Sequence, residues 1–422
     1  MVKQETKQLL DTWEVKPLRK IGNIFSGNSI NAKVKEEKYL NIESGIPYVA
    51  TKDVSYNYNI NYDNNIKIPE NEINNFKIAH KNSILICAEG GSAGRKLSFN
   101  TQDICFVNKL FALEPFDFMN PKYIFYFYQT SDFQKQFKSR MTGLIGGVSM
   151  GKFKTINVPI PPLPIQKQIV KILDETFEKI SKAKENSEKN LKNAKEVFES
   201  YLQSVFEKKG EGWEEKYIQD LGDKKNAIVS GPFGSNLKVT DYRESGTPIV
   251  RLQNIGKGYF IDKDIKYISQ EKAEELKSHS FVSGDLILAK LGIPVGKTCK
   301  VPDKFKKGII VADVVRIRLN NKLINYNYLL YYLNTNLAVS QLSKNISGAT
   351  RPRVNLSNVR EIKISLPNSL DKQNQIVLIF NKLLNQTKQL ESIYTKKLSS
   401  LEELKQSILQ KAFEGKLIEV SA

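Results

Sequence analysis

The sequence carries one long pattern twice, and this internal repeat constrains the fold more than any other feature. Trp13 matches Trp213 and Gln168 matches Gln375, so the offset drifts only from 200 to 207 residues along the two copies. Solenoid repeats are about 20–50 residues long, so a period of this size indicates a duplicated domain with its connector. The matching segments are 43–49 with 244–250, 83–88 with 285–290, 158–161 with 364–367, and 168–170 with 375–377.

Each copy begins with a globule of mixed character. Residues 13–160 and 213–367 contain short runs typical of strands, separated by Gly, Pro and Asn turns, and a helix is predicted from Tyr123 to Phe137. A proline stop follows each globule. The sequence therefore predicts an α+β fold organised as globule 1–160, long helix 161–210, globule 211–367 and long helix 368–422.

The segment after each proline stop has the pattern of a coiled-coil helix. More than 40 residues lack proline, and apolar residues recur in steps of four and three. Each helix would measure roughly 60 Å at 1.5 Å per residue. The second helix starts at the second globule, so it must run antiparallel to the first to cover the apolar stripe. The predicted seam is Leu173, Phe177, Ile180, Lys184, Ser187, Leu191, Ala194, Phe198, Tyr201 and Val205 with Ile376, Phe380, Leu383, Thr387, Leu390, Tyr394, Lys397, Leu401, Leu404 and Ile408.

Four polar residues interrupt this seam and allow two interpretations. Lys184, Ser187, Thr387 and Lys397 either set the helix register at some cost in stability or face solvent in an imperfect stripe. In both interpretations the prediction is of two similar globules held apart by two long antiparallel helices, with an internal pseudo-two-fold repeat.

The charge and composition of the chain limit the classes of partner that it is expected to bind. The formal net charge of +19 suits a polyanion such as nucleic acid, although arginine occurs only ten times and part of the lysine excess reflects general composition. No run of about 18 apolar residues is present, so no membrane partner is expected. Cys87, Cys105 and Cys299 lack metal-ligand or disulfide spacing, which favours buried thiols and a cytoplasmic location.

Several short segments resemble enzyme motifs, but each lacks a feature that the motif requires. Gly292–Thr298 resembles a phosphate-binding loop but has three residues between its glycines where four are needed. Residues 90–94 lack dinucleotide-site spacing, and residues 120–123 resemble an amino-methyltransferase motif without a cofactor loop. His80 and His279 have no partner arrangement for metal binding or nucleophilic catalysis. We expect no catalytic residues, no metal site and no cofactor of its own.

The chain resembles the specificity subunit of type I restriction–modification enzymes over essentially its whole length. The similar stretches are 230–237 (SGPFGSNL), 248–255 (PIVRLQNI), the proline-to-helix junctions 163–180 and 366–383, and the terminal 404–417. Their order, globule then helix twice, is more specific than any one of them. The sequence departs from the family pattern at Lys167 and Asn374, where an acidic residue is usual, and the first globule has only Phe-Ser-Gly-Asn at 25–28.

The resemblance implies a non-catalytic, DNA-binding role. Each globule would be a target-recognition domain for one half of a split double-stranded DNA target, and the helices would act as a ruler and dock two methyltransferase subunits. Those partners would bind S-adenosylmethionine and methylate adenine, and translocase–nuclease subunits would join them for cleavage. A stand-alone two-headed DNA-binding protein without enzyme partners is the alternative.

Side chains on glycine-opened loops are the candidates for DNA contact, because Arg reads guanine while Asn and Gln read adenine at base edges. Each of them is also compatible with an ordinary solvated loop charge or turn amide. The glycine-rich segment 140–152 is of special interest because such loops commonly become ordered on a ligand. The candidates are Asn28, Lys52, Arg95, Lys96, Arg140 and Lys152 in the first copy, and Asn236, Lys238, Arg251, Gln253, Asn254, Lys290, Arg351 and Arg353 in the second.

Overall fold

The computed structural model describes residues 13–143, 146–222, 226–344 and 352–417. The chain divides into two compact units. Unit 1 is formed by Met1–Glu188 with Lys396–Ala422, and unit 2 by Lys189–Thr395. Each unit therefore combines one globule with part of each long helix.

Unit 1 contains ten strands and four short helices among its described residues. Three sheets have the strand orders β2-β9-β6-β7, β4-β3-β8-β5 and β1-β10. All pairings are antiparallel except that of β3 with β8. The strands are β1 Glu14–Pro17, β2 Gly22–Ser26, β3 Ile46–Val49, β4 Lys67–Ile68, β5 Ile78–Ala79, β6 Ile84–Cys87, β7 Leu97–Phe99, β8 Ile104–Phe106, β9 Leu110–Pro115 and β10 Asn157–Ile160, and the helices are α1 Ala32–Val34, α2 Pro121–Phe127, α3 Ser131–Arg140 and α4 Met150–Phe153.

Unit 2 repeats this topology strand for strand. Its sheets have the orders β12-β19-β16-β17, β14-β13-β18-β15 and β11-β20, and β13 pairs in parallel with β18. The strands are β11 Trp213–Tyr217, β12 Ile228–Ser230, β13 Thr247–Val250, β14 Lys266–Ile268, β15 Ser280–Val282, β16 Leu286–Ala289, β17 Thr298–Lys300, β18 Lys307–Ile310, β19 Val314–Ile317 and β20 Lys363–Pro367, and the helices are α6 Gln270–Glu275, α7 Tyr326–Leu333, α8 Asn336–Ser343 and α9 Leu356–Arg360.

The two long helices are α5, Leu163–Lys208, and α10, Leu370–Phe413. In unit 1 the start of α5 packs with the end of α10, since Leu173, Leu409 and Ala412 belong to one buried cluster. In unit 2 the end of α5 packs with the start of α10, where Phe206 contacts Phe380 at a ring-centroid distance of 5.8 Å. The antiparallel direction predicted from chain order is therefore present within each unit.

The predicted seam is correct in part. Ser187 and Thr387 are buried, as the register interpretation requires, whereas Lys184 and Lys397 are exposed. Leu390 and Leu404 are also exposed, contrary to the prediction, whereas the ring of Tyr201, although 39% exposed, contacts that of Phe380 on α10 at a centroid distance of 6.2 Å. At its ends each helix packs against a globule as well as the other helix, and this moves the buried face to residues such as Leu202.

The helix predicted from Tyr123 to Phe137 is two helices, α2 and α3. The helix is interrupted because Thr130 is the N-cap of α3. Its hydroxyl accepts a hydrogen bond from the Phe133 backbone N–H at 3.2 Å. Asn120 caps α2 in the same way, so the Asn-Pro-Lys-Tyr segment is a helix start.

Candidate DNA-reading surface

Loops from two strands leave the first sheet of each unit at one edge. In unit 1, β2 and β6 both pair antiparallel with β9, so they run in the same direction and end together. The same holds for β12 and β16 on either side of β19 in unit 2. We call these loops, with the segment described next, the reading edge: 27–31, 88–96, 142–143 and 146–148 in unit 1, and 231–238, 290–297 and 352–354 in unit 2.

A third segment pairs with the second of these loops in both units. In unit 1 the Val148 backbone N–H donates to the Ala88 carbonyl at 3.0 Å, within the glycine-rich segment identified in the sequence. In unit 2 the Val354 N–H donates to the Lys290 carbonyl, also at 3.0 Å. Short bridges, Glu89 with Gly147 and Leu291 with Arg353, extend the pairing. Each reading edge is therefore a supported structure built from three segments.

The two units also share a set of polar contacts among their helices and strands, which we call the frame. Gln166 accepts a hydrogen bond from the Asn120 N–H at 2.8 Å, and Gln373 accepts one from Asn325 at 2.8 Å. Three further contacts match between the units: Tyr126 to Asp174 with Tyr331 to Asn381, Tyr123 to Pro159 with Tyr328 to Ser365, and Gln136 to Asn157 with Gln341 to Lys363. These four polar contacts are therefore repeated in the two units.

At the reading edge the two units differ in charge. The Ala88 N–H donates to the Lys109 carbonyl at 2.9 Å, and the Lys290 N–H donates to the Asp313 carbonyl at the same distance. These matched bonds identify equivalent positions, which carry alanine and lysine in unit 1 but lysine and aspartate in unit 2. The two units therefore share their polar contacts but carry different charged residues at this edge.

In unit 1 the predicted Arg95 and Lys96 meet an aromatic residue that the sequence did not single out. Their cationic groups lie 5.5 and 5.3 Å from the ring centroid of Tyr56, which is 55% exposed. The Lys96 ammonium also donates to the Thr51 carbonyl at 3.0 Å, beside the exposed Lys52. This group combines three positive charges with an accessible ring. The Tyr-Asn-Tyr sequence at 56–58, polar residues alternating with aromatic ones, was the available signal.

The other candidates of unit 1 divide between surface and scaffold. Lys152 is exposed on α4. Asn28 is half-buried, and its side-chain oxygen accepts from the Lys77 N–H at 2.8 Å. Arg140 is occupied by the fold itself, because its guanidinium donates to the Gln136 carbonyl at 2.8 Å and to the Thr155 hydroxyl at 3.1 Å. Arg140 therefore serves the scaffold in this conformation.

Three candidates of unit 2 stabilise one loop. Arg251 and Gln253 both donate to a carboxylate oxygen of Asp264, each at 2.9 Å, and these bonds lower the pKa of that carboxyl. Asn254 is completely buried, accepts from the Arg251 N–H at 3.0 Å and donates to the Ile261 and Lys263 carbonyls. Asn254 is a structural residue here and does not reach solvent, because the loop uses its whole amide.

The remaining candidates of unit 2 that the structure describes lie at its reading edge. Asn236 and Lys238 are exposed on the loop after β12. Lys290 is buried, and its ammonium donates to the Ser230 hydroxyl at 2.6 Å. Burial and the nearby charge of Arg353 lower the pKa of Lys290. The guanidinium of Arg353 pairs with Asp313 at 2.9 Å. Arg351 lies outside the described residues.

Other features predicted from the sequence can be placed as well. Gly292–Thr298 is a hairpin loop between β16 and β17, and no helix follows it. The three cysteines are buried and free. Within the described ranges, no group of three or more potential ligands is arranged to hold a metal ion. None of the helices in the described part of the chain is both long and apolar enough to cross a membrane.

Exposed apolar residues also follow the long helices. In unit 2, Val197 on α5 is 54% exposed, and Leu378 on α10 is 68% exposed. The further exposed apolar residues of these helices in unit 2 are Tyr201, Ile379, Leu390 and Ile393. A helix pair that buries one face and leaves apolar side chains on another has surface available for a protein partner.

Comparison with known proteins identifies the family. The model for the type I restriction modification DNA specificity domain matches the chain twice, over residues 10–192 and 210–400. The chain belongs to this family. The double match agrees with the internal repeat, and the predictions of a specificity subunit and a non-catalytic role are confirmed.

Similar proteins match over nearly the full chain. The MjaVIII specificity subunit of Methanocaldococcus jannaschii is 25% identical, covering 96% of this chain and 93% of its own length. The EcoKI specificity subunit of Escherichia coli is 22% identical, covering 97% and 90%. The HsdS subunit of Thermoanaerobacter tengcongensis shares the fold with a TM-score of 0.60 at 18% identity, covering 96% of this chain and 97% of that one. A chain from a type I restriction–modification complex gives a TM-score of 0.75 at 17% identity, covering 96% and 98%.

Proposed function

We propose that the chain reads a bipartite double-stranded DNA target, one half-site with each unit, on behalf of methyltransferase subunits. The observation that supports this proposal is that the two units share their polar contacts but differ in the residues at the reading edge. The matched polar contacts repeat between units, whereas Ala88 and Lys109, at and next to the reading edge of unit 1, correspond to Lys290 and Asp313 in unit 2. A duplicated scaffold with different edges suits the recognition of two different sequences, because base contacts specify while the frame only positions.

The long helices are the proposed docking surface for two methyltransferase subunits. Their exposed apolar residues, such as Leu378 and Ile379, have surface to bury against a partner. S-adenosylmethionine and the adenine-methylating residues belong to that partner in this proposal, and translocase–nuclease subunits would add cleavage. The chain itself supplies no cofactor site and acts in the cytoplasm.

Reconstitution tests this function directly. The chain is purified alone and with the methyltransferase subunit of the same system, and DNA is assayed for sequence-specific N6-methyladenine. We expect no methylation or cleavage by the chain alone and methylation at a split motif by the mixture. Methyl transfer by the purified chain would contradict the proposal. Sequence-specific binding without any co-purifying methyltransferase would favour the stand-alone DNA-binding alternative.

The docking surface has its own matched control. Leu378→Ser with Ile379→Ser should weaken co-purification of the methyltransferase, because both side chains are at least half exposed on α10. Val239→Ser removes a similarly exposed apolar side chain, 78% accessible, from a loop of the same unit and should leave co-purification intact. Equal loss in both variants would remove the helix surface from the proposal.

A further inference from the structure

The two most exposed large apolar side chains of the described residues both lie on the reading edge of unit 2. Phe233 is 84% exposed and Ile293 is 82% exposed. Phe233 is on the loop after β12 and Ile293 is on the loop after β16, so the sheet topology brings both to one edge. The equivalent hairpin of unit 1, residues 88–96, contains no large apolar residue.

The exposure of Ile293 is imposed by its anchored neighbours. The Gly292 N–H donates to the Pro352 carbonyl at 3.3 Å on one side, and the Gly296 N–H donates to the Ala289 carbonyl at 2.9 Å on the other. Val295, two residues further on, is 1% exposed in the core of unit 2. The backbone on both sides of Ile293 is therefore fixed. Its side chain is held away from the core in which Val295 is buried.

Positive charge accompanies this apolar tip. Lys290 begins the same loop, and Arg353 is joined to the loop through the bridge to Leu291, so that with Asp313, the ion-pair partner of Arg353, the group keeps a net positive charge. The surroundings suit a polyanion, which argues against an apolar protein partner at this point. An apolar side chain that meets DNA base edges has one complementary group, because the thymine 5-methyl is the apolar feature of the major groove and no base presents one in the minor groove.

We propose that Ile293 is a specificity-determining residue that recognises a thymine of one half-site through its 5-methyl group. The inference rests on the proposed function and deepens it by naming the base that one residue reads. Burying one methyl group corresponds to roughly 0.8 kcal/mol, or about a fourfold change in affinity.

The test is a double-mutant cycle on the full chain with its target DNA. Each thymine of the half-site assigned to unit 2 is replaced in turn by deoxyuridine, which removes only the methyl group. We expect one replacement to weaken wild-type binding about fourfold and to have no effect on Ile293→Ala. Ile293→Ala should keep the wild-type melting temperature, since its side chain is exposed. Val15→Ala, an exposed apolar residue of unit 1, is the control and should retain the full deoxyuridine effect.

Three outcomes would overturn the assignment. A half-site without thymine on either strand, or deoxyuridine effects of equal size in wild type and Ile293→Ala, would show that Ile293 does not read a methyl group. An increase in 2-aminopurine fluorescence on binding that Ile293→Ala abolishes would show that it unstacks bases as a wedge. Failure of the wild-type chain to distinguish its target from scrambled DNA would instead overturn the proposed function itself.

Discussion

Arg353→Ala should relax the recognition of one base pair in the half-site of unit 2. Arg353 lies at the reading edge with its guanidinium 2.9 Å from Asp313, and the two side chains are 48% and 32% exposed. An ion pair as accessible as this contributes about 0–1 kcal/mol, so it opposes DNA binding only weakly. A bidentate contact of arginine with guanine contributes about 1–3 kcal/mol of discrimination. The base contact therefore outweighs the pair that it would replace.

The expected loss on Arg353→Ala is about 5- to 150-fold for the target and much less for a target altered at the recognised base pair. Asp313→Asn should act in the opposite direction and strengthen binding by up to about fivefold, because DNA no longer competes with the carboxylate. Binding titrations against single-base variants of the target measure both effects. A uniform loss across all sequences, with the salt slope reduced by about one, would show a phosphate contact and refute the reasoning.

Three further predictions concern stability, pH and geometry. Phe206→Ala should lower the free energy of unfolding by about 3–5 kcal/mol in urea titrations, because its 2% exposed ring packs on Tyr328 and Tyr332 at 5.2 and 5.0 Å; a loss no larger than that of exposed Val197→Ala would contradict this. Because the pKa of Lys290 is lowered, DNA affinity should fall with rising pH already below pH 10.5. The free energy of unfolding should rise over the same pH range, because the unfolded chain then binds more protons than the folded chain. Lys290→Met should show neither change, and identical pH profiles for the wild type and this variant would contradict the assignment. Inserting one heptad in each long helix, near Ser187 and near Tyr394, should lengthen the preferred gap of the methylated motif by about 10 Å, or roughly three base pairs, with weaker binding from the added twist; an unchanged gap would leave the helices as a docking surface alone.

The duplicated fold was predictable because its signals are local or periodic. The matching segments, the proline stops and the heptad pattern all stand in the sequence, and the topology of β1–β10 recurs in β11–β20. The single helix expected from Tyr123 to Phe137 was wrong because one hydroxyl, that of Thr130, starts a new helix within an apolar run. The exposed Leu390 and Leu404 show that a strict heptad fails where a helix packs against a globule and another helix together.

The reading surface was less predictable because loop side chains are committed by distant partners. Asn254 sits in a sequence that resembles an exposed polar loop, yet its amide is consumed by Ile261 and Lys263. Arg140 is bound by Thr155, fifteen positions along the chain. Tyr56 contacts Arg95 and Lys96, about forty residues away, and the Tyr-Asn-Tyr sequence around it marks an aromatic loop without indicating these partners.

The central claim is that two independent units each read one half of the target, and a domain exchange tests it most directly. Residues 213–367 are replaced by the matching domain of a relative with a different target, and the N6-methyladenine motif is sequenced in cells that also contain the methyltransferase. Because each of the two large described core clusters draws its residues from one unit alone, we predict a change in one half-site while the other half-site and the gap stay the same. A simultaneous change in both half-sites, or an unchanged motif from an active hybrid, would contradict it.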